Sequence, residues 1–425
     1  MVVFAKADSA AASQADSGRF LQLLLLTVVV AAGAYARAAI GPLQEAMAKA
    51  VPLSDNQIAL LQGPALALPV VAAAIPLGML VDRLSRVRLL LFFALGNLVG
   101  SVLTGLASTL APLLAARALV GLTATATPIA AYSLVADIYA PTQRGRSNMV
   151  MAVGQAAAIA AAFAIGGALL AVSSSGLPSW RWAILWMSSP LVPVLFAVLA
   201  LREPQRLGDT VERPSVRQSW VELWRYRAVI VPLLAGLVTV EISVGATVVW
   251  AAPALSRHFA LAPDRSGGIM AVALFTSGLL GPILGGVLAD VCQRTGGPRR
   301  TVSVVSGLTL LSAPLGLFAI APTVGTASAL LVVFNTVVNA IAVVVTTLST
   351  VVIPNELRGL FLSVLSAVGM TFAFVLAPLI VSSLSGILGV SGTIGMALSL
   401  VCVTTSLLGA TTFAAGRGRF PSPAS

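Results

Sequence analysis

Gly78-Met79-Leu80-Val81-Asp82-Arg83-Leu84-Ser85-Arg86 closes one long apolar run, and Gly286-Val287-Leu288-Ala289-Asp290-Val291-Cys292-Gln293-Arg294 closes another. Glycine, leucine, aspartate and the last arginine recur at one spacing, 208 residues apart. A second pair of loops, Pro141-Thr142-Gln143-Arg144-Gly145-Arg146 and Pro354-Asn355-Glu356-Leu357-Arg358-Gly359, repeats at an offset of 213. Two unrelated loops recurring at nearly one interval imply that a large unit is present twice.

The composition of the intervening chain says what that unit is. Of 425 residues, 58% are hydrophobic and 9% charged, whereas a soluble domain carries about 25% charged residues. A water-exposed enzyme and a disordered chain are both excluded. One hydrocarbon-spanning helix takes about 20 apolar residues. Breaks of Pro, Gly and charge place spans at 20–43, 57–81, 88–110, 112–136, 147–172, 181–201, 228–252, 266–289, 301–321, 324–351, 360–386 and 391–415. The expected fold is an all-α membrane protein of twelve transmembrane helices in two pseudo-symmetric six-helix bundles. Its parts are a disordered tail (1–18), an N-terminal bundle (19–202), a linker (203–227), a C-terminal bundle (228–415) and a second tail (416–425). Within the linker, Trp220, Leu223, Trp224 and Arg227 share one helical face, as in a helix lying at the lipid headgroups.

The net charge of +11 is spread as short arginine clusters between apolar runs rather than as a basic domain, which excludes a nucleic-acid partner. With the N-terminus inside, only Lys49, Arg257 and Arg265 fall in outer segments. The positive-inside rule therefore puts both termini in the cytoplasm, in a multi-pass protein of a bacterial-type inner (plasma) membrane. Cys292 and Cys402 fall in a loop and an apolar run, so neither a disulfide nor a metal site is expected. The lysines, Lys6 and Lys49, do not complete a phosphate-binding loop, and the sole histidine, His258, follows span 7 in an outer loop. No cofactor and no enzymatic activity are expected.

The loop after span 2 resembles the signature motif of the major facilitator superfamily. Arg117-Ala118-Leu119-Val120-Gly121 resembles its arginine motif in helix 4, and Trp180-Arg181-Trp182 and Arg202-Glu203-Pro204 are similar to elements flanking helix 6. The resemblance implies a central cavity open alternately to either side, with spans 1, 4, 7 and 10 lining it. It also implies a latch in which Gly78 allows close helix approach. Asp82, beside Arg83 and Arg86, would engage the start of span 11 in one arrangement only. Asp290, Arg146 and Arg358 are the matching positions elsewhere in the repeat. Tyr35-Ala36-Arg37, Leu53-Ser54-Asp55 and Leu60-Leu61-Gln62 are similar to spinster-like transporters and organic-anion symporters, although both usually carry an aspartate where this chain has Ala36.

Ionisable groups within spans are functional candidates. Glu241 lies about 18–20 Å from the inner boundary at 1.5 Å per residue, beyond snorkelling reach, and is the candidate proton carrier. Arg37 and Arg117 lie at similar depth below the outer surface and are candidates for an anionic substrate group. Tyr132, Gln155, Asn335 and Asn339 complete the candidate substrate-binding set. The function expected is secondary transport of a small organic anion or amphiphile by alternating access, coupled to protons or another ion, in a monomer surrounded by membrane lipids. A multidrug or lipid exporter and a non-transporting nutrient sensor are the alternatives.

Overall fold

A computed structural model describes residues 2–173, 180–204, 216–389 and 394–420. Side chains are described from residue 18 onward, except at 74, 75, 78, 79, 82, 141, 142, 173, 216, 217, 219 and 355. Among these residues the regular structure is entirely helical. Helix α1 (Val2–Ala38) leads through a 3-10 turn (Gly41–Leu43) into the short α2 (Gln44–Ala50). Helices α3 (Asp55–Gln62) and α4 (Pro64–Arg83) make one pass broken at Gly63, followed by α5 (Arg86–Leu106), α6 (Leu110–Ile138) and α7 (Pro141–Ser173). Helices α8 (Trp180–Ser188) and α9 (Leu191–Leu199) make the sixth pass. The second half begins with the linker helix α10 (Val216–Arg225), then α11 (Arg227–Phe259), α12 (Pro263–Leu315) and α13 (Val324–Val352). Helix α14 (Asn355–Met370), a π-helical turn (Thr371–Leu376) and α15 (Ala377–Leu388) form one pass, and α16 (Ile394–Gly416) is the last.

Eleven helical segments are long and apolar enough to cross a membrane. One of them, Pro263–Ile320, has 58 residues. At 1.5 Å per residue it would run about 87 Å, nearly three hydrocarbon thicknesses. It is broken at Gly297, whose φ of 62° and ψ of −162° belong to a region open essentially to glycine alone. The segment is therefore two passes folded back at Gly297, and the count is twelve.

Two departures from the sequence reading concern the ends and the linker. The backbone is helical from Val2, where a disordered tail over 1–18 was expected. In α10, Leu223 is buried while Trp220 and Trp224 are 43% and 57% exposed. The predicted common face is therefore divided, with the leucine against the protein and the indoles turned outward. Residues 205–215 of the linker and 421–425 of the second tail lie outside the described residues.

Within the first half α6 is central, packing on α1, α4 and α5, and α8 and α9 close the bundle on α5. In the second half α11 packs on α13 and α16, and α12 on both of those. The halves meet along α7 and α12. There Gly167 and Gly267 face each other so closely that a methyl group on either would strike the opposite main chain, the small-residue contact that lipid-embedded helices use. Large apolar side chains such as Phe92, Phe196 and Ile387 point outward, 67–81% exposed, as a hydrocarbon solvent permits.

Candidate functional site

A cavity of about 220 Å³ lies where the halves meet. Its walls come from Arg37 on α1, Gln62 and Leu66 around the Gly63 break, Phe163 on α7, Asn339 on α13 and Phe374 in the π-helical turn. Arg37 is the one ionisable side chain among the described lining residues. It sits one residue from the end of α1, half-buried, and no carboxylate meets it among the described residues. Its guanidinium carbon lies 5.5 Å from the centre of the Phe374 ring, a cation–π contact between the two halves. Above the cavity, Gln44 donates to the Val249 carbonyl at 3.0 Å and accepts from Gln62, tying α2 and α3 to α11.

A second cavity of about 250 Å³ holds Glu241. Its other walls are largely apolar, with Leu237, Leu362, Leu365 and Met370 beside the hydroxyls of Thr346 and Ser366. Glu241 stands 14 residues into α11, about 21 Å along the helix axis. Its carboxylate rests against Gly369, where a methyl group would sit 3.3 Å from Cγ. No hydrogen-bond or ion-pair partner for it occurs among the described residues. Phe374 lines both cavities.

Other residues predicted for binding are placed differently. Arg117 is 1% exposed and points away from the cavity, its two terminal nitrogens donating to the carbonyls of Arg37 at 2.7 Å and Ala36 at 3.5 Å. It thus caps the last turn of α1, where helix carbonyls lack intrahelical donors. In this structure it is therefore placed at the end of α1 and is not among the described residues lining the cavity. Asn335 is likewise enclosed in the second bundle, its Oδ1 accepting from Thr247 at 3.1 Å. Asn339 reaches the cavity wall while its amide donates to the Asn335 carbonyl at 2.8 Å. Gln155 donates to the Tyr132 hydroxyl at 3.3 Å, so this pair ties α7 to α6 and does not line the 220 Å³ cavity.

The repeated loops divide between bracing and exposure. Arg86 is buried, joined to Asp137 at the end of α6 and to Glu203 after α9, the latter at 2.9 Å. In this structure it braces the first bundle internally and makes no described contact with the other half. Glu203 also accepts from the Ser85 hydroxyl at 2.8 Å and the Val87 amide at 2.9 Å. Burial alone would raise its pKa, but these donors together hold it below the usual carboxylate range. Arg83, Arg146 and Asp290 are exposed and Arg358 is half-buried. The side chains of Gly78 and Asp82 lie outside the described residues.

On the face opposite the termini, Arg257 at the end of α11 reaches across to Glu45 on α2 and Asp55 on α3. Its nitrogens lie 2.9–3.2 Å from Glu45 oxygens and 2.7–2.9 Å from those of Asp55. With the Gln44 bridge, these are the described hydrogen bonds and ion pairs between the halves, and all lie toward this face. Described polar contacts between the halves therefore stand on this side of the cavity. The sequence reading noted Arg257 only as an outer charge and Asp55 only within a resembling motif; nothing in either segment alone shows that they meet across 202 residues.

Among the described residues, helices in two bundles with a largely apolar cavity between them, into which one arginine faces, define a polytopic helical membrane protein. The sequence profile of the Major Facilitator Superfamily matches residues 23–378, and the chain belongs to that family. It is 38% identical over 124 residues to uncharacterized MFS-type transporters of Mycobacterium tuberculosis, MT1926 (strain CDC 1551 / Oshkosh) and Rv1877 (strain ATCC 25618 / H37Rv). That match spans 29% of this chain and 17% of the length of each relative. Among solved structures, a bacterial homolog of the human lysosomal transporter Spinster, inward-facing and unoccupied, aligns with a TM-score of 0.78 at 20% identity, covering 96% of this chain and 99% of that one. The nucleoside transporter NupG aligns at 0.72 and 12% identity, covering 95% and 100%. At these identities the likeness is one of fold.

Proposed function

We propose that the protein is a proton-coupled secondary transporter of a small, partly apolar organic anion. The observation that carries this reading is Arg37, a cation facing a cavity with no carboxylate to meet it among the described residues. An intramembrane charge is costly without a partner; here the partner is the cargo. The lining around it, mainly aliphatic and aromatic with Gln62 and Asn339 as polar points, fits a carboxylate or similar head on an apolar body. Glu241 supplies the second half of the cycle. It is a carboxyl group within a span with no partner among the described residues, and a proton on Glu241 with an anion on Arg37 leaves the loaded carrier with no added charge. With the termini cytoplasmic, as the arginine distribution argues, the face carrying these polar contacts is external and this state is open inward. Closing the inner side would bring Asp82 and its loop to the start of α14, the proposed latch. One chain supplies every wall of both cavities, so a monomer suffices.

Reconstitution into liposomes tests the reading. Benzoate, octanoate and their neutral amides would be offered with and without an imposed pH gradient. The wild type should accumulate a carboxylate against its gradient, and Arg37→Gln should lose carboxylate transport far more than amide transport. Glu241→Gln should keep counterflow exchange while losing gradient-driven accumulation. Accumulation by Glu241→Gln equal to that of the wild type would remove the glutamate from the coupling scheme.

A further inference from the structure

We propose that Phe374 is an occupancy lock, holding Arg37 while the anion site is empty so that the halves cannot exchange conformation on a proton alone. This rests on the transport reading above and adds a residue that neither the sequence motifs nor the arginine and glutamate themselves reveal.

Three observations converge on it. Phe374 is the residue common to the walls of the Arg37 cavity and the Glu241 cavity. Its ring takes the Arg37 guanidinium at 5.5 Å, and that contact joins the first half to the second. The residue also stands on the π-helical turn Thr371–Leu376, a widened helical register that occurs mostly as short pieces at functional positions. The turn is braced from both sides. The Phe374 carbonyl lies against Gly63, where any side chain would collide with it, and the neighbouring Ala373 backbone presses on Gly245 in the same way. The break between α3 and α4 thus meets the irregular turn between α14 and α15 across the interface between the halves.

The chemistry follows from what Arg37 can pair with. In the empty protein the ring face stands in for an anion, and rocking the halves apart would strip the guanidinium of that partner inside the membrane. A bound anion gives Arg37 a stronger partner that does not tether α1 to the second half, so the loaded carrier is released. A protonated Glu241 alone leaves the Arg37–Phe374 tether intact. The lock therefore forbids a cycle that would carry protons without cargo and dissipate the gradient.

The test needs no knowledge of the natural cargo. Proton flux into cargo-free proteoliposomes would be followed with an entrapped pH dye after an imposed pH step. Phe374→Leu, which keeps bulk but removes the π face, should leak roughly two- to thirty-fold faster than wild type, the range spanned by a cation–π contact. Phe374→Tyr, which keeps the ring, should stay as tight as the wild type. Adding Glu241→Gln to Phe374→Leu should abolish the excess leak. Elution as a monodisperse species and a helical circular-dichroism spectrum and melting temperature close to wild type would establish that the variants are folded. The lock is overturned by a Phe374→Leu protein as tight as wild type, or by a leak that survives in the double variant. If Glu241→Gln still uncouples accumulation while Phe374→Leu stays tight, the lock fails alone. If Glu241→Gln accumulates normally, the transport reading itself falls.

Discussion

Two arginines that look alike in the sequence do opposite work. Both lie inside spans at similar depth, and composition offers no way to separate them. Arg117 is spent on the carbonyls of Ala36 and Arg37, whereas the Arg37 guanidinium lies over an aromatic face at the cavity wall. One fixes the end of α1; the other is held in place by that end and presented to the cavity. Replacing Arg117 by alanine would leave buried carbonyls without donors and cost about 2–4 kcal/mol, the scale of lost charged hydrogen bonds. Thermal unfolding in detergent should therefore fall clearly for Arg117→Ala, with the ratio of carboxylate to amide binding unchanged in the surviving folded protein. A selective loss of carboxylate binding would return Arg117 to the cavity. The sequence carried the presence of charge in the membrane but not its direction, because a guanidinium on a long stem reaches either a helix end or a cavity from the same backbone position.

At the scale of elements, what was legible depended on local regularity. Apolar runs set off by Pro, Gly and charge located every pass, and the repeated glycine-to-arginine loops paired the halves. The interruptions were not legible. Nothing in Thr371-Phe372-Ala373-Phe374-Val375-Leu376 announces a π turn, since its cause is packing against Gly63 and Gly245 in other helices. The first repeated loop shows a related limit: its arginine marks the membrane edge in sequence, but only the fold brings Arg86 to Asp137 and Glu203. That brace ties the start of α5 to the ends of α6 and α9, and it has a definite pH dependence. Because the folded protein lowers the Glu203 pKa, its stabilisation is fully present above the ordinary glutamate value of about 4.3 and is lost as pH falls through the lowered one. The melting-temperature gap between wild type and Glu203→Gln should stay constant from neutral pH down to about 5, then narrow below about 4. A gap that widened on acidification would reverse the assigned sign.

At the scale of the whole molecule, the state adopted is set by which face carries contacts between the halves. The polar ones among the described residues are Arg257 with Glu45 and Asp55, and Gln44 with Val249, and they lie beside the apolar α7–α12 seam. The pairs of Arg257 are about 30% exposed, so each contributes little, about 0.2–1 kcal/mol. Two forked pairs on one guanidinium reach about 1–2 kcal/mol, which shifts a two-state equilibrium about 5–30-fold. On the transport reading proposed above, contacts of that size suit the cycle, since stronger ones would trap one state and weaker ones would leave it poorly populated. Arg257→Gln should move the population toward opening on the face opposite the termini. Spin labels at Ala50→Cys and Ala262→Cys, one on each half at that face, would report it as growth of a longer-distance component, with Cys292 and Cys402 buried and unlabelled. Raising salt to about 1 M, where the screening length falls to about 3 Å, should lengthen the distance in the wild type and change it little in Arg257→Gln. A distance distribution identical in the two proteins at low salt would mean that the glutamines and the α7–α12 seam close this face by themselves, and that the ion cluster only decorates it.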